Sequence, residues 1–487
     1  MVFSSLNAEA MIFKYRGTTI RLFSTKLFIL VMVGIGAVIA VLTLHEIIAF
    51  DPSGNIDPPP HNNGFYLNRP QINALVTTSI ENAIKTEARN ENININVPQE
   101  SLRVTTKRPT IKISLNKSVE PEIQKLRHFV KNMNDEQYIR NGDKFGTTLS
   151  PSSIVIIIQV HDRSDYFSHL LNSMRRSRGI EDALLIVSHD YHSEEMNKLV
   201  ESIDFCRVMQ IFFPFSYQLY PNEFPGTDPK DCPRDISREK AKEMGCINAE
   251  TPDMYGHYRQ APFTMIKHHW WWKANTVFDM LNVTKDYAGP VLFLEEDYYV
   301  SPDFYHMLKL LYNSKMSGCK EDCDLITLGT YRAVDNYELN GAKDVAALSV
   351  WRSHEHNMGM AFDRVTWNKI KKCSDVFCKS YDEYNWDWSL MKISVSCLPQ
   401  PFKSLILKGP RVFHLGECGL HHKKTDCKID ATVQKFQTII EKNTNSLFPP
   451  SVNIQEGDHN LASKFSPNGG WGDTRDHALC FQLMQKR

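Results

Sequence analysis

Runs of aliphatic and β-branched residues, separated by amphipathic segments, dominate the chain from residue 153 onward. Residues 154–160 are apolar except for one glutamine and predict a buried strand. Residues 184–188 and 208–213 predict two further strands. Amphipathic stretches at 165–177 and 194–202 predict the intervening helices. Strands that alternate with helices indicate an α/β fold, with a mainly parallel sheet covered on both faces.

The carboxyl ends of these strands carry polar side chains. Residues 159–163 follow the first predicted strand, and His189 and Asp190 follow the second. Ligands of parallel sheets bind outside the carboxyl ends of the strands, so these residues are predicted to hold a donor nucleotide. The pattern leaves an alternative open, because Asp162 and Asp190 also suit ordinary helix caps.

Another apolar run, residues 290–294, leads directly into the acidic triplet Glu295-Glu296-Asp297, and residues 301–303 then open a helix. Carboxylates at the end of a buried strand are unfavourable unless a cation meets them. Oxygen ligands of this kind suit Mn²⁺ or Mg²⁺ and leave positions for phosphate oxygens. A solvated acidic turn is the alternative.

The N-terminal segment has a different character. Residues 27–44 contain no charge over 18 positions, close to the roughly 20 needed to cross a bilayer as a helix. Basic residues precede this run and acidic residues follow it, which predicts a cytosolic N-terminus and a luminal remainder. A cleaved signal peptide would have a shorter apolar core and a small-residue cleavage site, which is missing here.

The segment after the predicted anchor begins with a stretch rich in Pro, Gly and Asn and continues with few large apolar residues. It is interpreted as a tether. The predicted organisation is therefore a cytoplasmic tail (1–26), a transmembrane signal-anchor (27–45), a luminal stem (46–146) and a catalytic domain (147–487).

Composition adds three constraints. A chain of 487 residues exceeds the size of one hydrophobic core, and its 56 basic and 56 acidic residues give no argument for nucleic-acid binding. All eleven cysteines lie beyond residue 200, in the part of the chain predicted to be luminal. In an oxidising lumen, disulfides are a more common use of cysteine than zinc sites. The odd number leaves a free thiol, for which Cys206 is the candidate. Asn116 and Asn282 begin glycosylation sequons.

Eight strings along the chain resemble one known family, that of alpha-1,6-mannosyl-glycoprotein 2-beta-N-acetylglucosaminyltransferase (N-acetylglucosaminyltransferase II). They are FLEEDYYVSPDFYHMLK, FPFSYQLYPNEFPGTDPKDCPRD, CINAE, KHHWWWK, EHNMG, YDEYNWDW, HLGECGLHHKK and NGGWGDTRDH. The resemblance covers about residue 150 to the C-terminus and implies a GT-A-type nucleotide-binding fold. It also implies an inverting transfer of GlcNAc from UDP-GlcNAc, dependent on Mn²⁺, in β1,2 linkage to the α1,6-arm mannose of an N-glycan.

The resemblance also implies roles for individual residues. Asp297 and His414 would be the metal ligands, although His414 without the family would be a core or capping histidine. Asp387 would be the catalytic base, because an inverting displacement needs a carboxylate to take the proton of the acceptor hydroxyl. The alternative is that Asp387 caps a helix while Asp382 or Glu383 acts. The implied donor contacts are Gln159, Val160, His161, Asp162, Arg163, Asp190, Met265, Ile266, Lys267, His268 and His269.

Further expectations follow from the family. Five disulfides are implied, namely Cys232/Cys246, Cys319/Cys323, Cys373/Cys397, Cys378/Cys480 and Cys418/Cys427. The implied location is the Golgi membrane, with one anchoring helix and a luminal catalytic domain. The chain departs from the family pattern at residues 332–336, which removes support for a donor contact near Asp335. Two other readings are a β1,2-GlcNAc-transferase for a different mannose and a Golgi lectin without catalysis.

Overall fold

The computed structural model describes residues 11–15, 18–22, 121–319, 322–332, 334–416, 429–460 and 465–485. The chain divides into two units, Met1–Val104 and Thr105–Arg487. In the first unit, strands β1 (Met11–Tyr15) and β2 (Thr18–Leu22) form an antiparallel hairpin.

The predicted anchor at 27–45 lies outside the described residues. So does the predicted stem as far as residue 120, including the sequon at Asn116. Among the helices that are described, none has the length and apolar character needed to span a membrane.

The second unit is built on a nine-stranded mixed sheet and a separate two-stranded ribbon. In chain order the sheet strands are β3 (Val155–Val160), β4 (Leu184–His189), β5 (Arg207–Phe212), β6 (Val291–Glu295), β8 (Leu325–Thr327), β9 (Val345–Val350), β10 (Met360–Phe362), β11 (Lys403–Leu407) and β13 (Asn453–Glu456). Their spatial order is β13-β9-β11-β8-β10-β6-β3-β4-β5. The ribbon pairs β7 (Tyr298–Val300) with β12 (Val412–His414) in antiparallel orientation.

Twelve described α-helices surround the strands. They are α1 (Pro121–Glu136), α2 (Gly142–Phe145), α3 (Ser164–Arg175), α4 (Glu194–Glu201), α5 (Arg238–Met244), α6 (Ala261–Asn275), α7 (Phe304–Gly318), α8 (Ser353–His356), α9 (Arg364–Lys372), α10 (Trp386–Ser396), α11 (Ile429–Lys442) and α12 (Thr474–Gln482). Short π-helical turns at Thr276–Met280 and Val376–Ser380 and 3-10 turns at Ile180–Asp182 and Thr444–Ser446 complete the set.

The parallel half of the sheet confirms the predicted α/β pattern. Strands β6, β3, β4 and β5 are parallel neighbours, and each begins and ends within one residue of its predicted bounds. The other half is mixed, because β10 runs antiparallel to both β6 and β8. Five of the eight neighbouring pairs are nevertheless parallel.

Both faces of the sheet are covered, which explains the continuous apolar runs. Along β3, Val155 and Ile157 pack into a core that contains the buried indoles of α6. Ile156 and Ile158 face the opposite core, which contains residues of α3 and α7. A strand buried on both faces has no polar side to expose, so its sequence does not alternate.

Helix α1 lies within the range predicted as stem and contacts the edge of the sheet. Val130 is buried in the same core as the indoles of α6. Asn134 donates its side-chain amide to the carbonyl of Phe212 at 2.7 Å and accepts the Phe212 N–H at 2.8 Å. These two bonds satisfy backbone groups at the end of edge strand β5, which limits pairing with another chain.

Four of the five implied disulfides are present: Cys232–Cys246, Cys319–Cys323, Cys373–Cys397 and Cys378–Cys480. The fifth implied pair, Cys418/Cys427, lies outside the described residues. Cys206 is buried with a free thiol, as predicted from the odd cysteine count.

Candidate active site

Two histidines meet one buried aspartate at the carboxyl ends of β3 and β4. His161 Nδ1 lies 2.6 Å from Asp190 Oδ1, and His269 Nδ1 lies 3.3 Å from Asp190 Oδ2. Burial alone would raise the pKa of Asp190, but the hydrogen bonds from both imidazoles hold it well below its usual range. Asp190 is therefore a charged acceptor that fixes two histidines, and it does not cap a helix.

The acidic triplet at the end of β6 divides into separate roles. Glu296 accepts the backbone N–H of His161 at 2.7 Å and the guanidinium Nε of Arg163 at 2.6 Å. Arg163 also donates to Asp297 Oδ2 at 3.0 Å. The triplet is thus joined to the loop after β3 by charge-assisted bonds, which are stronger than neutral ones. Glu296 and Asp297 are both buried, which contradicts the alternative of a solvated acidic turn.

Asp297 lies next to His414 because of the β7–β12 ribbon. His414 pairs with Tyr298 in that ribbon, and its Nε2 lies 3.4 Å from Asp297 Oδ2. Burial opposes both shifts, yet this contact raises the pKa of His414 and lowers that of Asp297. Asp297 Oδ1 is buried and has no hydrogen-bond partner among the described residues.

Gly416 closes this corner of the site. A Cβ at that position would come within 2.5 Å of Asp297 Oδ2 and 2.9 Å of His414 Nε2. The Asp297 carboxylate and the His414 imidazole form a two-residue donor set, and the missing side chain of Gly416 leaves room beside them. Such a set fits a divalent cation such as Mn²⁺. Across the described parts of the chain, no group of three or more His, Cys, Asp or Glu side chains could hold a metal, so a cation here would need further ligands from elsewhere.

Lys273 contributes a buried cation that the sequence did not single out. Its Nζ donates to Gln159 Oε1 at 2.6 Å. Burial lowers the pKa of Lys273 to about 7 and raises that of neighbouring Glu295 to about 7. Both groups therefore change charge close to neutral pH. Lys273 follows His269 by four positions and therefore lies on the same face of α6, a spacing that could have predicted it.

Asp387 lies in the first turn of α10 and is held from several sides. Its Oδ2 accepts the side-chain amide of Asn357 at 2.9 Å and the hydroxyl of Ser353 at 3.2 Å. Its Oδ1 accepts the backbone N–H of Trp388 at 2.9 Å. Burial raises the pKa of Asp387, although these bonds oppose the shift. A raised pKa in a partly exposed carboxylate suits a general base.

The two neighbouring carboxylates that could replace Asp387 bind N–H groups of neighbouring loops. Glu383 is 0% exposed and accepts the backbone and side-chain N–H groups of both Asn385 and Asn468 at 2.8–2.9 Å. Asp382 accepts the backbone N–H groups of Met254 and Trp471. Through these bonds Glu383 and Asp382 hold the loop before α10 in place, and Asp387 stays the predicted base.

Tyr331 lies between Asp387 and the Asp297–His414 pair. Its hydroxyl donates to Asn357 Oδ1 at 3.1 Å, and its ring centroid is 6.2 Å from that of His414. The side chain is 53% exposed, so it lines an accessible surface. Asp387, Asn357, Tyr331, His414 and Asp297 therefore belong to one continuous site.

This geometry can be compared with known proteins. A sequence model of the N-acetylglucosaminyltransferase II (MGAT2) family matches residues 127–480. The chain belongs to this family. It is therefore a glycosyltransferase, and the resemblance found in the sequence is confirmed.

Curated relatives agree with membership of the N-acetylglucosaminyltransferase II family. The alpha-1,6-mannosyl-glycoprotein 2-beta-N-acetylglucosaminyltransferase of Sus scrofa is 48% identical over 368 residues, covering 74% of this chain and 80% of the relative. The Homo sapiens enzyme of the same name is 47% identical over 366 residues, with coverages of 74% and 80%. The Arabidopsis thaliana enzyme is 36% identical over 354 residues, with coverages of 71% and 77%.

Solved structures give weaker matches. Residues 1–349 of S. aureus TarS share 11% identity at a TM-score of 0.28, covering 60% of this chain and 73% of TarS. A mannosyltransferase from Pyrobaculum calidifontis, in complex with GDP-Man and Mn²⁺, shares 8% identity at a TM-score of 0.25, with coverages of 58% and 61%. Similarities of this size support no conclusion about fold or function.

The structure brings only part of the predicted donor set to the site. Gln159, His161, Arg163, Asp190 and His269 converge on the carboxyl edge of the sheet, as described above. Asp162 is exposed beside His161, and the Val160 side chain is buried in the sheet.

The remaining members of the predicted donor set lie along α6 but face other partners. Met265 is buried under Tyr217, whose N–H contacts its sulfur at 3.4 Å, and Ile266 packs against the core. Lys267 donates to the Glu383 carbonyl at 2.6 Å, and His268 Nε2 lies 3.0 Å from Asp476. These four residues join α6 to neighbouring elements, and their donor contacts stay a prediction.

Asp335, where the sequence departs from the family pattern, lies beside the C-terminal end of α11. Its carbonyl accepts the side-chain amide of Asn443 at 3.0 Å. That contact ties the loop to a helix on the side of the ribbon and involves none of the site residues above.

Proposed function

We propose that this chain transfers GlcNAc from UDP-GlcNAc to the α1,6-arm mannose of an N-glycan core, in β1,2 linkage and with inversion. Its membership of the N-acetylglucosaminyltransferase II family supports the reaction class. One structural observation carries the mechanism: Asp387, held by Asn357 and Ser353, shares a continuous site with Asp297 and His414. The core fold that presents this site is of the GT-A type.

Asp387 is the base of the proposed reaction. Its Oδ2 takes the proton of the acceptor hydroxyl as that oxygen attacks the anomeric carbon of the donor, on the face opposite the diphosphate. The bonds from Asn357 and Ser353 orient the carboxylate, and its raised pKa increases its affinity for that proton. A single displacement leaves no need for a covalent intermediate.

Asp297 and His414 are the proposed ligands of Mn²⁺. When bound, the cation would neutralise charge developing on the departing diphosphate. The unpartnered Asp297 Oδ1 supports this role, since a buried carboxylate oxygen without a donor is otherwise unfavourable. Arg163 and Lys273 place further positive charge near the same edge of the sheet, where the diphosphate would lie.

The His161–Asp190–His269 cluster is the proposed anchor for the nucleotide. Asp190 fixes both imidazoles, and Tyr217 adds a hydrogen bond to His161 Nε2 at 3.0 Å. We place the enzyme in the Golgi membrane, anchored by residues 27–45 with the catalytic domain in the lumen. The uncharged run and the preceding basic residues support this location.

The test is transfer by the full chain in membranes, with Mn²⁺ or with EDTA. The acceptor is a trimannosyl core that carries GlcNAc on its α1,3 arm, compared with the same core lacking it. Metal-dependent addition of one β1,2-linked GlcNAc to the α1,6-arm mannose is expected. Transfer to another mannose would overturn the proposed acceptor, and absence of transfer to either core would overturn the reaction.

Metal binding is tested separately by titrating Mn²⁺ in the presence of UDP and following its electron paramagnetic resonance signal. Asp297→Asn and His414→Ala are each expected to lose the bound-metal signal, whereas Asp387→Asn retains it. Equal Mn²⁺ binding by all three variants would contradict the assigned ligands.

A further inference from the structure

A surface turn at the amino end of β6 carries the sequon Asn282-Val283-Thr284. Asn282 is exposed, and its backbone N–H donates to Gln137 Oε1 at 2.8 Å. Its side-chain amide makes no hydrogen bond to any described residue. Val283 packs partly against the core. The turn therefore has a fixed backbone and presents a free amide to solvent.

Thr284, the third residue of the sequon, has the opposite environment. It is 1% exposed, its hydroxyl donates to the carbonyl of Val277, and its own carbonyl accepts Nη2 of Arg364 at 2.9 Å. Since the hydroxyl of a sequon must be available when the amide is modified, the folded turn is a poor acceptor. Modification at this turn has to precede its closure.

The position of the turn keeps a large attachment away from the cleft. Asn282 precedes β6, whereas the acidic triplet follows it. Five residues of extended chain span about 17 Å, so the sequon and the site lie at opposite edges of the sheet. A glycan on Asn282 would therefore leave the access of donor and acceptor unchanged.

The disulfides provide an independent argument about compartment. Four are formed among the described residues, and such bonds persist in oxidising environments. Chains that fold there pass the machinery that modifies sequons during synthesis. An exposed asparagine in such a chain is a usable acceptor.

We propose that Asn282 is N-glycosylated, and that the glycan is added before the turn folds. A bond forms between Asn282 Nδ2 and the anomeric carbon of a lipid-diphosphate-linked oligosaccharide. The bond from that carbon to the diphosphate oxygen breaks, the lipid diphosphate leaves, and the amide loses one proton. This proposal does not rest on the identity of the sugar that the enzyme itself transfers.

Occupancy is tested with the full chain made in a secretory host as wild type, Asn116→Gln, Asn282→Gln and the double variant. Treatment with the amidase that releases N-glycans is expected to increase the mobility of Asn116→Gln by one glycan step and to leave the double variant unchanged. Released glycan should convert Asn282 to Asp, a gain of one mass unit that peptide mass spectrometry detects. Unchanged mobility of Asn116→Gln would overturn the proposal, whether or not Asn116 is occupied.

The variant Thr284→Ser controls for misfolding of the turn. Thr284→Ser retains both the sequon and a hydroxyl that can reach Val277, so it should keep the glycan. Asn282→Gln should retain the wild-type kcat, because the turn is remote from the cleft. A loss of activity in Asn282→Gln comparable to that of a misfolded chain would contradict this placement.

The order of events is tested with unglycosylated chain, produced while glycosylation is inhibited. Solubilised oligosaccharyltransferase and its lipid-linked donor are offered to the folded chain and to the reduced, alkylated chain. Only the unfolded form is expected to accept a glycan on Asn282. Equal modification of both forms would overturn the proposed timing.

Discussion

At the scale of single residues, the environment of Asp387 differs from that of the other carboxylates around it. Glu383 is fully buried and accepts four N–H groups, whereas Asp387 accepts from Asn357, Ser353 and one backbone N–H and keeps a partly exposed side chain. Asp382 is also partly exposed, but its two bonds hold the backbone of other loops, at Met254 and Trp471. A carboxylate that is oriented but still accessible can exchange a proton with a bound hydroxyl. This difference separates Asp387 from Glu383 and supports Asp387 as the proposed base.

Asp387→Asn is expected to lower kcat by a factor of about 10² to 10⁴, because the amide keeps the shape but cannot take the proton. Binding of UDP should change little, since Asp387 does not belong to the His161–Asp190–His269 cluster. Steady-state kinetics and calorimetric titration with UDP measure the two effects. Asp143→Asn, an exposed substitution on α2, is the control, and an equal loss in both variants would contradict the assignment.

The raised pKa of Asp387 sets the acidic limb of the pH–rate profile. Only the ionised carboxylate acts as a base, so kcat should rise with pH through a value above the usual 3.9 of aspartate. Asn357→Ala removes a bond that favours the ionised form, so the pKa should rise further and the limb should move to higher pH. A limb that stays in place, or moves to lower pH, would show that Asn357 does not act on the base.

Sequence alone predicted roles for Asp297, His414 and Asp387 because each lies in a string typical of the family, and the structure places the three in one site. The sequence did not identify Asn357 and Ser353 as the groups that hold Asp387, since they lie 30 and 34 positions away and meet it only through the fold. It also grouped Lys267 and His268 with His269, although helical geometry turns the first two toward other partners. Neighbours in sequence on a helix do not share a face.

At the scale of elements, the loop before α10 is fixed by buried hydrogen bonds. Glu383 joins it to the segment around Asn468, and Lys267 on α6 donates to the Glu383 carbonyl. Burial lowers the pKa of Lys267 to about 7, and the ammonium lies 4.1 Å from the ring centroid of Trp471. Three separate parts of the chain thus determine where α10 begins.

Glu383→Ala is expected to lower kcat about tenfold or more while leaving the Kd for UDP within twofold. The substitution leaves four N–H groups without their acceptor and releases the start of α10. Kinetics with saturating donor and UDP titration separate the two quantities. Asn468→Ala, which removes only one of the four donors, should have a smaller effect.

A purely structural role for Glu383 would give a different result. Donor affinity and kcat would then fall together with the midpoint of thermal unfolding. Equal losses of kcat and UDP affinity would therefore count against a positioning role.

The strands of the parallel half were predictable because each carries at least four apolar residues among its five or six positions. Strand β10 was not, although it lies between β6 and β8 in the centre of the sheet, since three residues give no periodic signal. The hydrophobic pattern did not predict helix α6 either. It is buried on nearly every side, so it has no polar face to reveal its period.

At the scale of the whole molecule, the C-terminal helix α12 is tied to the body by both charge and covalent bonds. Arg259 contacts Asp476 through Nε at 2.8 Å, and Cys480 is bonded to Cys378. That disulfide closes a separation of 102 residues, whereas Cys319–Cys323 closes only four. Loop length is the main determinant of how far a cross-link restricts the unfolded chain.

Replacing both Cys378 and Cys480 by Ser is therefore expected to lower the free energy of unfolding by about 4–5 kcal/mol. The same replacement of Cys319 and Cys323 should lower it by about 2 kcal/mol. Denaturant unfolding followed by tryptophan fluorescence measures both. A larger loss from the short loop would contradict an origin in chain entropy.

Helix α6 contacts both halves of the candidate site. His269 and Lys273 reach the nucleotide edge of the sheet, and Trp270 stacks on Trp386, the residue before Asp387, at a centroid distance of 4.8 Å. A tilt of α6 would displace His269, Lys273 and the start of α10 together. In the proposed reaction, a substitution that moves α6 would therefore disturb donor binding and proton transfer together, whereas changes in loops remote from α6 could alter acceptor choice alone.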